Sequence, residues 1–382
     1  MDQEIKNKIL KRQIRVLLNG LHSKSGGGLN YLRNILPLMA KDQSIDLHLV
    51  IHEDQLDQIP QNIKNVTIHS LKFARGFWRL LIHEQFDIPR LARTIVADVT
   101  FSPANYGPIL APNTIILIRN ALSVAFVERR LIKIGYWIFV YLGTFISLLA
   151  AKKAIVVSEY ALNETSNGFL GFFKKRFTVI NHGVSEFFSP PKEGGGRENF
   201  LLAVSDLYVQ KNFKNLLLAF KELKVLHSNL TLKIAGNPID NDHFKELKGI
   251  VLENKLENDV DFLGSVSSET LLKLYQSCGI FVFASTIETF GNPLVEAMAC
   301  GAPIACSNTA AMPEVVGDAA EFFDPRNVSS IVKVINFLLN DAQLQQRLSQ
   351  KALKRAKAFS WGETVEKTVT VLKKVESLKN KS

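Results

Sequence analysis

Short apolar runs rich in Val, Ile and Leu alternate with helical patterns along the whole chain, and that rhythm constrains the fold more than any other feature. In the first half the runs are "IRVLLN" (14–19), "IDLHLVI" (45–51), "VTIHSL" (66–71), "DVTFS" (98–102), "TIILI" (114–118), "AIVVS" (154–158) and "FTVI" (177–180). In the second they are "FLLAVS" (200–205), "LTLKIAG" (230–236), "DVDFLG" (259–264), "GIFVFAS" (279–285) and "PIACS" (303–307). Strands that are apolar on both faces belong to parallel sheets, because the crossover helices cover both sides. The pattern is βαβ, and it occurs twice. Between the sets stands "SPPKEGGGREN" (189–199), two prolines, three glycines and charges, which reads as an exposed linker. The expectation is an α/β protein of two Rossmann-like domains.

A length of 382 residues suits two cores rather than one. With 47% hydrophobic and 21% charged residues the composition excludes a disordered chain. The opening "MDQEIKNKILKRQ" has no apolar core of a secretory signal. Cys278, Cys300 and Cys306 form neither a zinc spacing nor a CxxC pair, so reduced structural thiols in a cytoplasmic protein are expected. Residues 1–190 carry 23 Lys and Arg against 14 Asp and Glu; the rest carries 23 against 22. A basic first half points to an anionic contact: lipid headgroups or a phosphorylated substrate. Basic motifs interleaved with aromatics are missing, so nucleic acid is not expected.

The stretch from Ile134 to Ala151 has 18 residues without a charge, the lower limit for a membrane span. A span would put the strands at 114–118 and 154–158 on opposite sides of a bilayer, although both read as members of one sheet. A helix packed on the domain, or lying against a membrane, fits instead.

The densest chemical signal is "STIETFGNPLVEAMACGAPIACSN" (285–308), with Glu288 and Glu296 eight residues apart. Asn292 reads as a helix N-cap, Pro293 as the first helical residue and Gly301 as the stop. Unpaired N–H groups at that helix start form an anion site, and Gly291 allows close approach to the backbone. Carboxylates on either side can accept hydrogen bonds from sugar hydroxyls. A nucleotide-sugar, a diphosphate between a ribose and a second sugar, has this shape. A second glycine loop, "NGLHSKSGGGLNYL" (19–32), follows the first strand and opens a helix, so Gly26, Gly27 and Gly28 can admit a phosphate or a sugar.

The segment "FVFASTIETFGNPLVEAMACGAPIACSNTAAMPEVVGDAAEFFDP" (281–325) closely resembles the E-x7-E region of family 4 retaining glycosyltransferases. The resemblance runs on through "VINHGVSEFFSP" (179–190), "FLLAVSDLYVQKNFKNLLLAF" (200–220), "LTLKIAGNP" (230–238) and "VDFLGSVSSETLLKLYQSC" (260–278). It implies a GT-B fold, two Rossmann-like domains whose parallel sheets face each other across a cleft. Residues 1–190 would bind the acceptor and 191–360 the nucleotide-sugar, with a helix in 361–382 returning to the first domain.

The resemblance further implies that Glu296 binds the donor ribose, Glu288 faces the transferred sugar, and Lys211 meets the diphosphate. Phe290, Gly291, Asn292 and Leu294 would supply backbone contacts. His182 matches a common family position of structural character. Arg119 and Asn120 stand where relatives often carry a histidine near the reacting centre. One departure is plain: the family's arginine five residues before the lysine is replaced by Asp206, which removes half of the usual cationic clamp. Lys214 or Arg119 are the candidates to replace it.

The function implied is transfer of a hexose, with retention, from a UDP- or GDP-sugar to a glycan or lipid-linked acceptor in lipopolysaccharide, polysaccharide or glycolipid synthesis. No metal or other cofactor is expected. The setting would be cytoplasmic, peripheral at the inner face of the cell membrane. Two rivals are a GT-B-like nucleotide-sugar 2-epimerase, which needs no acceptor, and a non-catalytic module binding a membrane or an anionic polymer.

Overall fold

The computed structural model describes residues 12–24, 26–60, 63–119, 130–167, 169–192 and 196–379. Seven parallel strands form the first sheet, in the order β3-β2-β1-β4-β5-β6-β7. They are β1 (Ile14–Asn19), β2 (Ile45–His52), β3 (Val66–Leu71), β4 (Val99–Ser102), β5 (Thr114–Ile118), β6 (Lys153–Val156) and β7 (Phe177–Val179). Helices α1 (Gly26–Met39), α2 (Phe77–Thr94), α3 (Leu131–Ala150) and α4 (Glu159–Ser166) belong to this half.

The second sheet has six parallel strands, β10-β9-β8-β11-β12-β13: β8 (Glu198–Val204), β9 (Thr231–Ala235), β10 (Val260–Gly264), β11 (Cys278–Phe283), β12 (Ile304–Ser307) and β13 (Glu321–Phe323). Its helices are α5 (Phe213–Leu226), α6 (Asn241–Glu253), α7 (Ser268–Ser277), α8 (Asn292–Ala299), α9 (Met312–Val316), α10 (Val328–Leu339) and α11 (Ala342–Ala356). The closing helix α12 (Trp361–Lys379) leaves this sheet and packs on α1, β1 and β4 of the other.

The central strands are mostly apolar and nearly wholly buried: β4, β5, β6 and β11 bury nearly every residue, as two-sided coverage requires. In each sheet the strand order reverses at one point, between β1 and β4 and between β8 and β11. Ligands of open α/β sheets bind beyond the carboxyl ends of strands at such a reversal. Here the two reversals open into the same cleft, lined by residues that follow β1, β5, β8 and β11.

No helix among the described residues is long and apolar enough to cross a membrane. The uncharged stretch is α3, with Val140, Thr144, Ser147 and Leu148 buried and Ile138, Leu142, Ile146 and Leu149 exposed. Beside it, α2 exposes Trp78, Ile82 and Phe86 at four-residue intervals. Edge-on ring contacts of Phe77 with Tyr136 and of Phe77 and Trp78 with Phe139 join the two helices into one apolar surface.

Candidate functional site

The cleft holds a cavity of about 610 Å³. The second domain contributes the loop after β11 and the start of α8. Gly291, at φ +90°, is the N-cap of α8, and Asn292 is the first helical residue. This corrects the expected cap by one position. Gly291 takes the turn because its left-handed backbone suits glycine. Asn292 is thereby released to accept a hydrogen bond from Nδ1 of His182 at 3.0 Å. Gly301, at φ +67°, lies just past the end of α8.

Glu288 lies at the cavity wall, where its Oε1 accepts from Lys211 Nζ at 2.5 Å and from Ser285 Oγ at 2.9 Å. Lys211 closes the short 3-10 turn Val209–Lys211 and also lines the cavity. Glu296, one turn into α8, accepts from the Tyr275 hydroxyl at 3.0 Å. Desolvation pushes its pKa up to about 7, although the tyrosine opposes the shift. The two glutamates therefore differ in kind: one is neutralised by a lysine, the other is held close to its titration point.

The remaining expected residues divide. Gly26, Gly27, Gly28, Arg119, Phe290, Gly291 and Asn292 all line the cavity. The Phe290 ring, however, is buried, tilted against His182 and edge-on to Phe359. Leu294 is a correction: its side chain is fully buried and its N–H donates to the Gly291 carbonyl, so it is not on the wall. Asn120 lies outside the described residues. Lys214 is tied to Glu246 at 2.8 Å on the exposed side of α5 and does not line the cavity, so it replaces nothing in the clamp. Asp206 does line it, with Oδ1 accepting from the Asn237 N–H at 3.0 Å.

His22, Asn30, Trp137, Tyr208 and Asn237 also line the cavity, and none of them was expected in the site. His22 is held by Glu84, a buried carboxylate of α2 that also accepts from Asn19. Burial holds His182 neutral, with its pKa down to about 4. Among the described residues no group of His, Cys, Asp and Glu is placed to hold a metal ion.

The domains are tied beside this site. Both oxygens of Glu314 accept from the Glu159 and Tyr160 N–H groups at 2.8 Å, so a second-domain carboxylate covers the N-terminus of α4. Ser158 donates to the Thr289 carbonyl at 2.6 Å. Arg130 meets Asp240 at 2.6 Å across the rim.

Residues 185–355 match the family described as glycosyl transferases group 1. That match falls almost wholly within the second domain, which carries Lys211, Glu288 and Glu296. O-antigen chain mannosyltransferase B of Escherichia coli is 33% identical over 177 residues, 46% of this chain and 46% of that protein. In that match the chain spans less than half of its relative's length. An uncharacterized glycosyltransferase of Methanocaldococcus jannaschii is 24% identical over 381 residues, 95% of this chain and 97% of that one. HepE of Anabaena, solved with UDP and glucose, superposes with a TM-score of 0.74 at 17% identity, over 94% of this chain and 100% of that chain. At such identity the likeness speaks for the fold, and that fold is GT-B.

Proposed function

We propose that this protein is a retaining glycosyltransferase of family 4, moving a hexose from a nucleotide-sugar to an acceptor hydroxyl in lipopolysaccharide or related glycan synthesis. The observation that carries this reading is the convergence of Glu288, Glu296 and Lys211 on one interdomain cavity at the start of α8. Glu296 would hold the donor ribose, and the α8 N-terminus with Lys211 the diphosphate. Relatives named mannosyltransferases, and a structural neighbour solved with UDP and glucose, support a sugar-nucleotide donor.

The glycosidic C–O bond breaks with its electron pair passing to the diphosphate. The acceptor hydroxyl attacks the oxocarbenium-like centre from the same face, and its proton goes to a diphosphate oxygen there. Glu288, bound to Lys211 and Ser285, orients the sugar and steadies the charge at the anomeric carbon; a covalent glycosyl-enzyme is not part of the proposal.

We propose further that the enzyme works without a metal, in the cytoplasm, on a lipid-linked acceptor, with α2 and α3 resting on anionic lipid. The exposed apolar stripes of those helices are flanked by exposed Arg79, Arg90, Lys174 and Lys175, which suits an anionic lipid surface.

The test is a screen of UDP- and GDP-sugars for thermal stabilisation, then acceptor-dependent release of nucleoside diphosphate with and without EDTA. Release with free sugar or a rearranged nucleotide-sugar as product, and no need for an acceptor, would favour the epimerase. Absence of stabilisation by any nucleotide-sugar would remove the donor site altogether.

A further inference from the structure

The charges lining the cleft are unfavourable for a diphosphate. Among the described residues there, Asp206, Glu288 and Glu296 are carboxylates and only Lys211 and Arg119 are cations. Lys211 is engaged by Glu288. Asp206, which by the resemblance stands in the place of an arginine, adds a further negative charge to the wall.

Arg119 follows β5 and reaches the cleft from the first domain. None of the described carboxylates pairs with its guanidinium, and its Nε is buried without a hydrogen-bond partner. Burial lowers its pKa to about 10, which still leaves it charged at neutral pH. The guanidinium lies against Gly28: a Cβ there would stand 2.6 Å from Nη1. Gly28 belongs to the first turn of α1, whose start faces the start of α8, since a Cβ on Gly27 would lie 3.9 Å from Asn292 Nδ2. Two helix N-termini, each with positive character, therefore meet beside an uncompensated arginine. Leaving such a cation partly desolvated and unpaired is costly unless an anion arrives.

We propose that Arg119 supplies, from the first domain, the cation missing at Asp206, so that the donor diphosphate is clamped between Arg119 and Lys211 across the cleft. This rests on the donor-site reading given above. The clamp is then divided between the domains rather than built within the second. Diphosphate affinity depends on the first domain's approach, whereas a nucleoside monophosphate, which lacks the outer phosphate, is held by the second domain alone.

The test is calorimetric titration of the full chain with UDP, UMP, GDP and GMP, for wild type, Arg119→Gln, Arg119→Lys and Gly28→Ala. Arg119→Gln should lose at least tenfold in diphosphate affinity while monophosphate affinity stays within about twofold, and Arg119→Lys should recover part of the loss. Gly28→Ala, which displaces the guanidinium without removing it, should reproduce the selective loss. Unchanged diphosphate affinity in Arg119→Gln overturns the proposal. So does an equal loss for both kinds of nucleotide together with a lowered thermal midpoint, the mark of a purely structural arginine. If the wild type binds none of the four, the donor reading falls and takes this one with it; binding by the wild type with an indifferent variant removes only the role of Arg119.

Discussion

Glu296 is a carboxyl group set into the cavity wall against a tyrosine hydroxyl, with its pKa raised from 4.5 to about 7. The folded protein therefore holds this proton more tightly than the unfolded chain. Stability contributed by the group is undiminished below about pH 4.5, falls as pH rises toward 7, and stays reduced above. Glu296→Gln, which keeps an acceptor for Tyr275, should be more stable than wild type at pH 8 by about 1–3 kcal/mol and equal to it at pH 4, read from urea unfolding at the two pH values. The same substitution removes a carboxylate acceptor for ribose. Nucleoside diphosphate affinity of the wild type, measured against the variant, should rise as pH passes through 7.

Glu288→Gln should behave differently. With its partner the transferred sugar, diphosphate binding should survive and kcat should fall by at least tenfold; turnover within about threefold of wild type would exclude Glu288 from the reacting centre. The E-x7-E spacing made both glutamates visible in the sequence. Their unlike environments were not visible, because Lys211 and Tyr275 reach them only through three-dimensional proximity. The same holds for Leu294, whose inward orientation follows from helical phase once Gly291 rather than Asn292 sets the start of α8.

At the scale of elements, strand runs were the most legible feature, since each strand carries its burial in its own residues. The exception is β13, three residues long, whose "EFF" is too short to show a pattern. Helix α3 was legible as an uncharged stretch, but its partner α2 was not. The stripe of Trp78, Ile82 and Phe86 acquires meaning only when Phe77 and Trp78 meet Phe139. Trp78 is 65% exposed and Leu142 is 52% exposed, so changing both to Ser removes little from the core. The double variant should keep its thermal midpoint and lose at least fivefold in affinity for vesicles containing anionic lipid. Wild-type binding should weaken with salt, because the flanking charges are screened over about 8–10 Å. Equal vesicle binding by wild type and variant would exclude the α2–α3 surface. Gly291→Ala tests α8 itself: with φ at +90° and Leu294 Cδ1 3.1 Å from the added Cβ, it should cost about 1–3 kcal/mol in stability.

The whole molecule is two sheets whose reversal points open into one cleft, and this much followed from two series of strands separated by a Pro/Gly-rich connection. The linker and a returning last helix were expected, but the bonds that hold the two crossings together were not. The chain crosses between the halves twice, and the crossings are stitched together: Val184 N–H donates to the Phe359 carbonyl at 3.1 Å, and Thr364 Oγ1 donates to the Asn181 carbonyl at 2.8 Å. Gly183 has no room for a side chain, since a Cβ would come within 2.1 Å of the Trp361 backbone nitrogen. Gly183→Ala should therefore separate the crossings and lower the thermal midpoint by several degrees, while an alanine at half-buried Gly249, with open space where its Cβ would stand, should not.

The return of α12 also fixes an order of events in the life of the chain. Trp361, Val365, Val369, Leu372 and Val375 are buried on a sheet whose last strand ended at Val179. During synthesis the first 190 residues emerge well before those side chains exist, so α1, β1 and β4 wait with an apolar face uncovered while the entire second sheet is made. Although the domain synthesised first begins folding first, this one is completed only once α12 has left the ribosome.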